Sequence, residues 1–299
     1  MGGPAVPQLA AAVSNAGALG TLALSWSDDV GASVRELQGL TTRPFGGNFG
    51  LQLDQRDRLD AVLEAGLRIV SLFWGDPSPY VERVHEAGAI LLHTVGSAEE
   101  AKRAVGVGVD VIVAQGWEAG GHVWGQIGTL ALVPAVVDAV APTPVIAAGG
   151  IGDGRGVAAV LALGAQGAWV GTRFLMAEEA PVHERYRERL IEADETEALW
   201  FADLFDGGWP DAPHRALRNA TIDEWEAAGR PAAGSRPGEG DTVATRPNAS
   251  EIPRYASSTP VEGLEGDIDA MSLWAGQSVA LARRVQPAAD IVADLVSRL

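Results

Sequence analysis

Cysteine does not occur among the 299 residues of the chain. Its absence excludes disulfides, thiolate nucleophiles and cysteine-ligated metals. No pair of histidines stands at a metal-ligand spacing with carboxylates, and neither a P-loop nor a Gly-x-Ser-x-Gly nucleophile turn occurs. We therefore expect neither a metal centre nor a serine-hydrolase or P-loop activity.

Basic residues are few, with 22 Lys and Arg against 39 Asp and Glu and a formal net charge of -17. Nucleic-acid binding needs clustered positive charge, which the chain does not show, so no nucleic-acid partner is expected. No apolar run approaches the roughly 20 residues of a membrane span. No basic segment precedes an apolar stretch at the N-terminus. These absences predict a cytoplasmic protein with no membrane contact.

Short apolar segments alternate with amphipathic segments over residues 1–175. The predicted strands are Thr21–Ser25, Gly46–Leu51, Arg68–Phe73, Ile90–Thr94, Val111–Ala114, Pro144–Ala148 and Ala168–Val170. The predicted helices run near 7–18, 29–39, 54–66, 77–87, 97–107, 130–141, 153–163 and 182–193. Several of them end at a glycine, namely Gly66, Gly88 and Gly164, which is typical of a left-handed helix cap.

This alternation predicts an α/β fold with parallel strands, either an open doubly wound sheet or a closed barrel. Eight helices accompany only seven strands, and the chain opens at Met1 directly before a helix. We favour a (β/α)8 TIM barrel that lacks or truncates its first strand. Residues 1–299 are expected to form one domain. Within it, 229–262 is an irregular surface excursion, and 265–299 is a C-terminal helical extension that packs on the barrel.

Two glycine-containing turns follow the last two predicted strands. Gly149 and Gly150 expose backbone amides beside a helix that begins near Asp153, and Gly171-Thr172 ends the next strand. Barrel enzymes often bind phosphate with the loops after strands seven and eight. The alternative for each turn is a tight connection that needs glycine only for its backbone angles.

A histidine ends the glycine-rich stretch Gln115–His122 after the strand Val111–Ala114. His122 would project at the C-terminal rim, where barrel catalysis occurs, and a neutral imidazole can exchange a proton near pH 7. Gln115 and Asn48 lie at strand ends and could hydrogen-bond the edge of a planar ligand. Trp74 and Trp117 could wall an apolar pocket, although simple packing explains them equally well.

Five stretches give the chain a resemblance to the nitronate monooxygenase family, formerly called 2-nitropropane dioxygenases. They are 7–22, 115–122, 144–165, 170–175 and 273–281. The resemblance covers nearly the whole chain. It implies an oxidoreductase on a flavin mononucleotide (FMN) barrel without a metal.

Individual roles follow from that resemblance by position. His122 resembles the family's active-site histidine. The other matches are the flavin contacts Met1, Asn48, Gln115, Gly120 and Gly150 and the phosphate-holding segment Trp169, Val170, Gly171 and Thr172. Trp117 departs from the smaller residue usual in its loop, and Phe201–Asn219 is only loosely similar. Both departures could change the substrate.

Three functions stay open on the sequence. The first is oxidation of alkyl nitronates by O2 to a carbonyl compound and nitrite, with FMN as cofactor. The second is an NAD(P)H-dependent reductase on the same barrel, of the enoyl-acyl-carrier-protein or quinone type. The third is a barrel that has lost catalysis. A small-molecule substrate is expected in the first two, and a homo-oligomer is compatible with each.

Overall fold

The computed structural model describes residues 2–299, so the flavin contact predicted for Met1 lies outside the described part. Seven parallel strands form one sheet in the order β1-β2-β3-β4-β5-β7-β8. They are β1 Gly20–Ala23, β2 Phe45–Gly50, β3 Ile69–Phe73, β4 Ile90–Val95, β5 Val111–Gln115, β7 Val145–Ala148 and β8 Gly167–Trp169. The order never reverses along the chain, whereas a doubly wound sheet reverses at a switch point. The predicted barrel class is confirmed, with seven strands within residues 2–299.

Helices follow the strands and cover the outside of the sheet. They are α1 Pro7–Asn15, α2 Val30–Leu40, α3 Arg56–Glu64, α4 Ser78–Glu86, α5 Ala98–Gly106, α6 Thr129–Val140, α7 Gly154–Ala162, α8 Glu184–Glu192, α9 Ala220–Ala227 and α10 Ala288–Val296. The predicted left-handed caps are confirmed, since Gly66, Gly88 and Gly164 have φ of +97°, +66° and +97°. None of the helices within residues 2–299 is long and apolar enough to cross a membrane.

Successive side chains of each strand point to opposite faces of the sheet, and this divides the apolar core into two parts. One face of each strand packs on the helices, as Leu72, Leu91 and Ile112 do. The other face points into the barrel, where Leu92 and Val113 form a second apolar cluster with Ala148. The helix-facing cluster is by far the larger, so most of the burial that stabilises the fold lies outside the barrel.

A small antiparallel sheet stands after the barrel strands and was not predicted. It consists of β6 Gly121–His122, β9 Ala198–Phe201 and β10 His214–Leu217, in the order β6-β10-β9. Strands of two to four residues are too short to show alternation, and these pair across long stretches of chain. The segment 176–228 therefore supplies two of its three strands, β9 and β10.

The remaining C-terminal segments pack on this framework. The stretch predicted as irregular, 229–262, contains the strands β11 Thr242–Thr245 and β12 Glu251–Pro253, which pair with β13 Glu265–Gly266. Residues 265–299 contain two short 3-10 helices, Ile268–Ala270 and Gln277–Leu281, and then α10, which contacts α1 and α7. Helix α10 therefore lies on the outside of the barrel, between its first and seventh helices.

Candidate active site

His122 is positioned by the small sheet. It lies on β6, directly opposite His214 of β10. Gln115, at the end of β5, donates from Nε2 to the carbonyl of His122 over 3.1 Å, and its Oε1 accepts from the amide of Trp124 at 2.9 Å. The predicted histidine therefore leaves the end of a barrel strand on a short, doubly anchored loop.

Aromatic rings surround the imidazole of His122. The Trp209 ring stacks on it with centroids 3.8 Å apart, and Trp74 and Trp274 approach at 6.0 and 5.5 Å. Nε2 of His122 is buried and has no hydrogen-bond partner among the described residues. Burial, followed by the nearby His214, holds the pKa of His122 well below its usual range. The imidazole is neutral at pH 7, and one ring nitrogen remains available to a ligand.

His214 has a structural task. It is fully buried, its Nε2 accepts from the amide of Phe205 at 3.0 Å, and its Nδ1 lies 2.9 Å from the carbonyl of Ala212. Because Nε2 accepts, Nδ1 must carry the proton and donate. Burial lowers the pKa of His214 to about 4. Both nitrogens are engaged, so His214 cannot serve as a proton partner of His122.

A buried arginine holds the loop that carries His122. Arg215, 3% exposed, donates from Nη2 to the carbonyl of Trp117 at 2.8 Å and from Nε to that of Ala119 at 3.1 Å. Its Nη1 donates to Ala198 of β9 at 2.9 Å. The guanidinium thereby joins the loop after β5 to the small sheet.

Glu118 supports the same loop from its other side. Its carboxylate accepts from the amide and the hydroxyl of Thr129, both at 2.9 Å, at the start of α6. Its own carbonyl accepts from the amide of Gln277 at 3.0 Å. Glu118 is therefore a supporting carboxylate, and α6 begins on it.

The glycine motifs of the sequence meet at one place. A Cβ on Gly149 would lie 2.8 Å from the carbonyl oxygen of Gly116, and one on Gly120 would lie 2.2 Å from the amide of Gly276. That amide of Gly276 also donates to Oγ1 of Thr172 at 3.0 Å. The loops after β5, β7 and β8 and the 273–281 stretch therefore touch one another.

Free amides line the ends of the last two strands. In residues 2–299 the amides of Gly149, Gly150 and Gly171 donate to no other residue. Gly149 and Gly150 have φ of +95° and +73°, and a Cβ on Gly171 would meet nothing within 4 Å. Unpaired backbone amides suit a phosphate group, and Gly171 lies beside open space, so these turns fit the phosphate end of FMN.

The other predicted contacts lie in or next to the barrel. Asn48 donates from Nδ2 to Oγ of Ser71 at 3.0 Å, on neighbouring strands. Trp169 packs on the apolar cluster inside the barrel, and Val170 packs on the helix-facing core. Trp117, by contrast, packs on Trp200 of β9, with the two ring centroids 4.8 Å apart.

Sequence reasoning missed part of the site. Trp209, His214 and Arg215 come from Phe201–Asn219, the stretch with the loosest family match, and no motif marks them. Trp74 was named from the sequence as a candidate wall of an apolar pocket. Its φ of +70° is a second sign of a special role, and only the backbone geometry shows it. A bulky residue in the left-handed region is strained and is held there by its surroundings.

Fold and site together define a barrel of the TIM class with its candidate active site at the carboxyl ends of the strands. The model of one family, described as nitronate monooxygenase, matches residues 1–60 and 49–298. The chain belongs to the nitronate monooxygenase family, as the sequence predicted.

Relatives and solved structures agree with this assignment. A probable nitronate monooxygenase of Bacillus subtilis is 31% identical over 93% of this chain and 88% of the relative. A nitroalkane oxidase from Streptomyces ansochromogenes has a TM-score of 0.80 at 30% identity, covering 100% of this chain and 93% of that one. FabK from Thermotoga maritima also has a TM-score of 0.80 at 30% identity, with 99% and 90% covered.

One relative carries a different activity in its name. It is a (3aS,4S,5R,7aS)-5-hydroxy-7a-methyl-1-oxo-octahydro-1H-indene-4-carboxyl-CoA dehydrogenase of Mycobacterium tuberculosis, 36% identical over 77% of this chain. The chain spans 64% of that relative's length and 45% of a putative monooxygenase from the same organism. Both shares are below two thirds.

Proposed function

We propose that the protein oxidises alkyl nitronates with O2 and uses FMN as its cofactor. One observation carries the proposal: a neutral imidazole with an unpartnered Nε2 shares the rim of the barrel with three unpaired amides. The amides suit the phosphate of FMN, and the imidazole suits the nitro group of a substrate that would lie beside the flavin ring. Family membership and the nitroalkane oxidase neighbour support the same reaction.

The chain's own residues would bind and orient the reactants. Gly149, Gly150 and Gly171 would donate to the phosphate. FMN, when bound, relays electrons from the nitronate to oxygen. His122 would donate from Nε2 to a nitronate oxygen, or take the α-proton of a neutral nitroalkane. In balance, two nitronates and one O2 give two carbonyl compounds and two nitrite ions.

Indole rings would exclude water from this chemistry. Trp74, Trp209 and Trp274 surround His122 on the face and the edges. A dry environment strengthens the hydrogen bond from Nε2 and keeps the imidazole neutral until an anion binds. Binding of a nitronate anion would then raise the pKa of His122, because the anion favours the protonated ring.

A second candidate is an NAD(P)H-dependent reductase that acts on a thioester. The indene-carboxyl-CoA dehydrogenase relative favours it, since its name contains a CoA ester. The formal net charge of -17 disfavours a ligand with several phosphates. We therefore place nitronate oxidation first.

The test begins with the absorbance spectrum of the purified protein after addition of FMN. Anaerobic mixing with propyl-2-nitronate and, separately, with NADH follows. Bleaching of the flavin bands by the nitronate supports the proposal, and bleaching by NADH alone supports the reductase. Protein that binds no flavin rejects both. A His122→Asn variant should lose turnover, whereas His85→Asn, on the exposed face of α4, should retain it.

A further inference from the structure

One face of the His122 imidazole is covered by the ring of Trp209. The two rings are stacked at 3.8 Å with an interplanar angle of 28°. No substrate fits between rings at van der Waals contact. Nε2 of His122 is buried and has no partner, and because its bonding direction lies in the ring plane, a ligand that bonds to it approaches along the ring edge. Trp209 therefore determines from which direction a substrate meets His122.

The other aromatic walls around His122 are also indoles, and one of them, Trp74, packs on Trp209. Trp74 meets the Trp209 ring edge-on at 5.4 Å and the Trp124 ring at 4.6 Å. Trp124 is itself fixed, because its Nε1 donates to Glu100 over 2.8 Å. Trp74 and Trp124 thus support each other, and Trp209 comes from the long loop between β9 and β10.

That loop, residues 202–213 between β9 and β10, contains neither helix nor strand. The amide of Trp209 donates to the carbonyl of Asp206 at 2.9 Å. Two further bonds join the loop to the 229–262 segment: Gly207 donates to Tyr255 at 3.0 Å, and Ser257 donates to Gly207 at 2.9 Å. The excursion over the surface therefore holds the Trp209 loop, together with His214, which accepts from the amide of Phe205.

A buried arginine of the excursion fastens the loop. Arg236, whose side chain is 7% exposed, donates from Nη1 to the carbonyl of Leu204 at 2.9 Å and to Oδ1 of Asp206 at 2.8 Å. Its guanidinium lies 4.3 Å from the Tyr255 ring centroid and pairs with Glu239 as well. Buried charge-assisted bonds of this kind have little freedom to rearrange.

We propose that Trp209 determines the substrate size that the site accepts and that Arg236 is the residue that positions Trp209. The inference rests on the proposed nitronate function for its substrate class. It assigns short alkyl nitronates such as propyl-2-nitronate to the site and excludes bulkier cyclic ones. The excursion that carries Arg236 then acts in specificity without touching the substrate.

The first test measures ring placement without any activity. In protein with 15N-labelled histidine, stacking on an indole shifts the His122 ring protons upfield. Trp209→Phe should reduce this shift and Trp209→Ala should abolish it. Trp225→Phe is the matched control, because Trp225 is an indole that packs on Phe201 of β9 and has no ring contact with His122. Unmoved His122 signals in Trp209→Ala would overturn the stacking.

The second test concerns Arg236. Arg236→Met and the milder Arg236→Lys should move the His122 signals in the same direction as Trp209→Phe. Arg230→Met is the control, because Arg230 lies over the Trp225 ring and pairs with Glu226 but does not touch the loop. If both Arg236 variants fold and keep the wild-type His122 signals, the positioning role is wrong. If Arg236→Met fails to fold, Arg236→Lys decides.

The third test measures selectivity with the nitronates of 2-nitropropane and nitrocyclohexane. Trp209→Ala should raise the ratio of kcat/KM for the ring over the short chain by about tenfold or more. An unchanged ratio would overturn the specificity role. The Arg236 variants should raise KM for the short nitronate more than they lower kcat. If the wild type oxidises neither compound, the proposed function and the size selection fall together, whereas the ring shifts still decide the positioning role.

Discussion

Arg215 offers a sharp test of how the site is held. Its three donors satisfy the carbonyls of Trp117, Ala119 and Ala198, and the side chain has almost no contact with water. Burial lowers the pKa of Arg215, and Glu118 opposes that shift. The group stays charged because an arginine pKa lies far above neutrality. Replacement by methionine keeps the length and removes every donor.

The magnitude follows from what the substitution leaves behind. Three buried carbonyls without a donor cost about 1–3 kcal/mol each. Removal of a buried charge returns part of this, because its desolvation is costly as well. We expect Arg215→Met to lower the free energy of unfolding by about 3 kcal/mol in total, which corresponds to about 1 kcal/mol for each of the three carbonyls. For a chain of this size that corresponds to a fall in Tm of about 6 °C.

The assay is equilibrium unfolding in urea, followed by tryptophan fluorescence and far-UV circular dichroism. Arg230→Met serves as the control, because this exposed arginine forms a surface ion pair worth about 0–1 kcal/mol. Amide exchange should also become faster across 116–122, since that loop loses its anchor. A variant Arg215→Met within about 1 kcal/mol of the wild type, with unchanged exchange, would refute the assigned role.

Three further predictions concern the site and its histidines. His122→Asn should lower kcat/KM for propyl-2-nitronate, measured by steady-state kinetics, by about 10²–10⁴-fold, because this is the range for a group that transfers or holds a proton. A variant with full turnover would show that His122 is not the catalytic residue. Burial lowers the pKa of both His93 and His214 to about 4. The unfolded chain therefore binds more protons between about pH 6.5 and 4, and the urea midpoint should fall as the pH is lowered through that window. His214→Asn should flatten this dependence, whereas an unchanged slope would contradict it. Gly171→Ala should weaken FMN binding in a fluorescence titration while leaving stability within about 0.5 kcal/mol, because its Cβ meets only open space. Gly39→Ala, with equally open space on α2, should leave FMN binding unchanged and raise stability by no more than about 1 kcal/mol, because alanine favours a helix over glycine.

Most of the barrel follows from local patterns. Apolar runs of four to six residues, amphipathic stretches and terminal glycines are each readable within about ten positions of the chain. The predicted strands and helices accordingly lie within a few residues of the observed ones, for example Ile90–Thr94 against Ile90–Val95. The choice between a barrel and a doubly wound sheet needed the strand order, which no local pattern contains.

The candidate site divides in the same way. His122 and the glycine turns were predicted because a strand end and small residues mark them in the sequence. The roles assigned to Asn48 and Gln115 remain predictions, and the structure adds that Gln115 anchors the loop of His122. Phe201–Asn219 carried no readable motif, although it supplies Trp209 and Arg215.

The sequence by itself determined the parallel α/β class, the rim position of His122 and the turns at Gly149 and Gly171. Each depends on the backbone preferences of neighbouring residues, which act over one or two turns of chain. Only the tertiary structure decided that Trp209 covers the imidazole and that Arg215 and Arg236 hold the two loops. Those contacts join residues that are far apart along the chain, and they form because a buried guanidinium must find acceptors wherever the fold brings them.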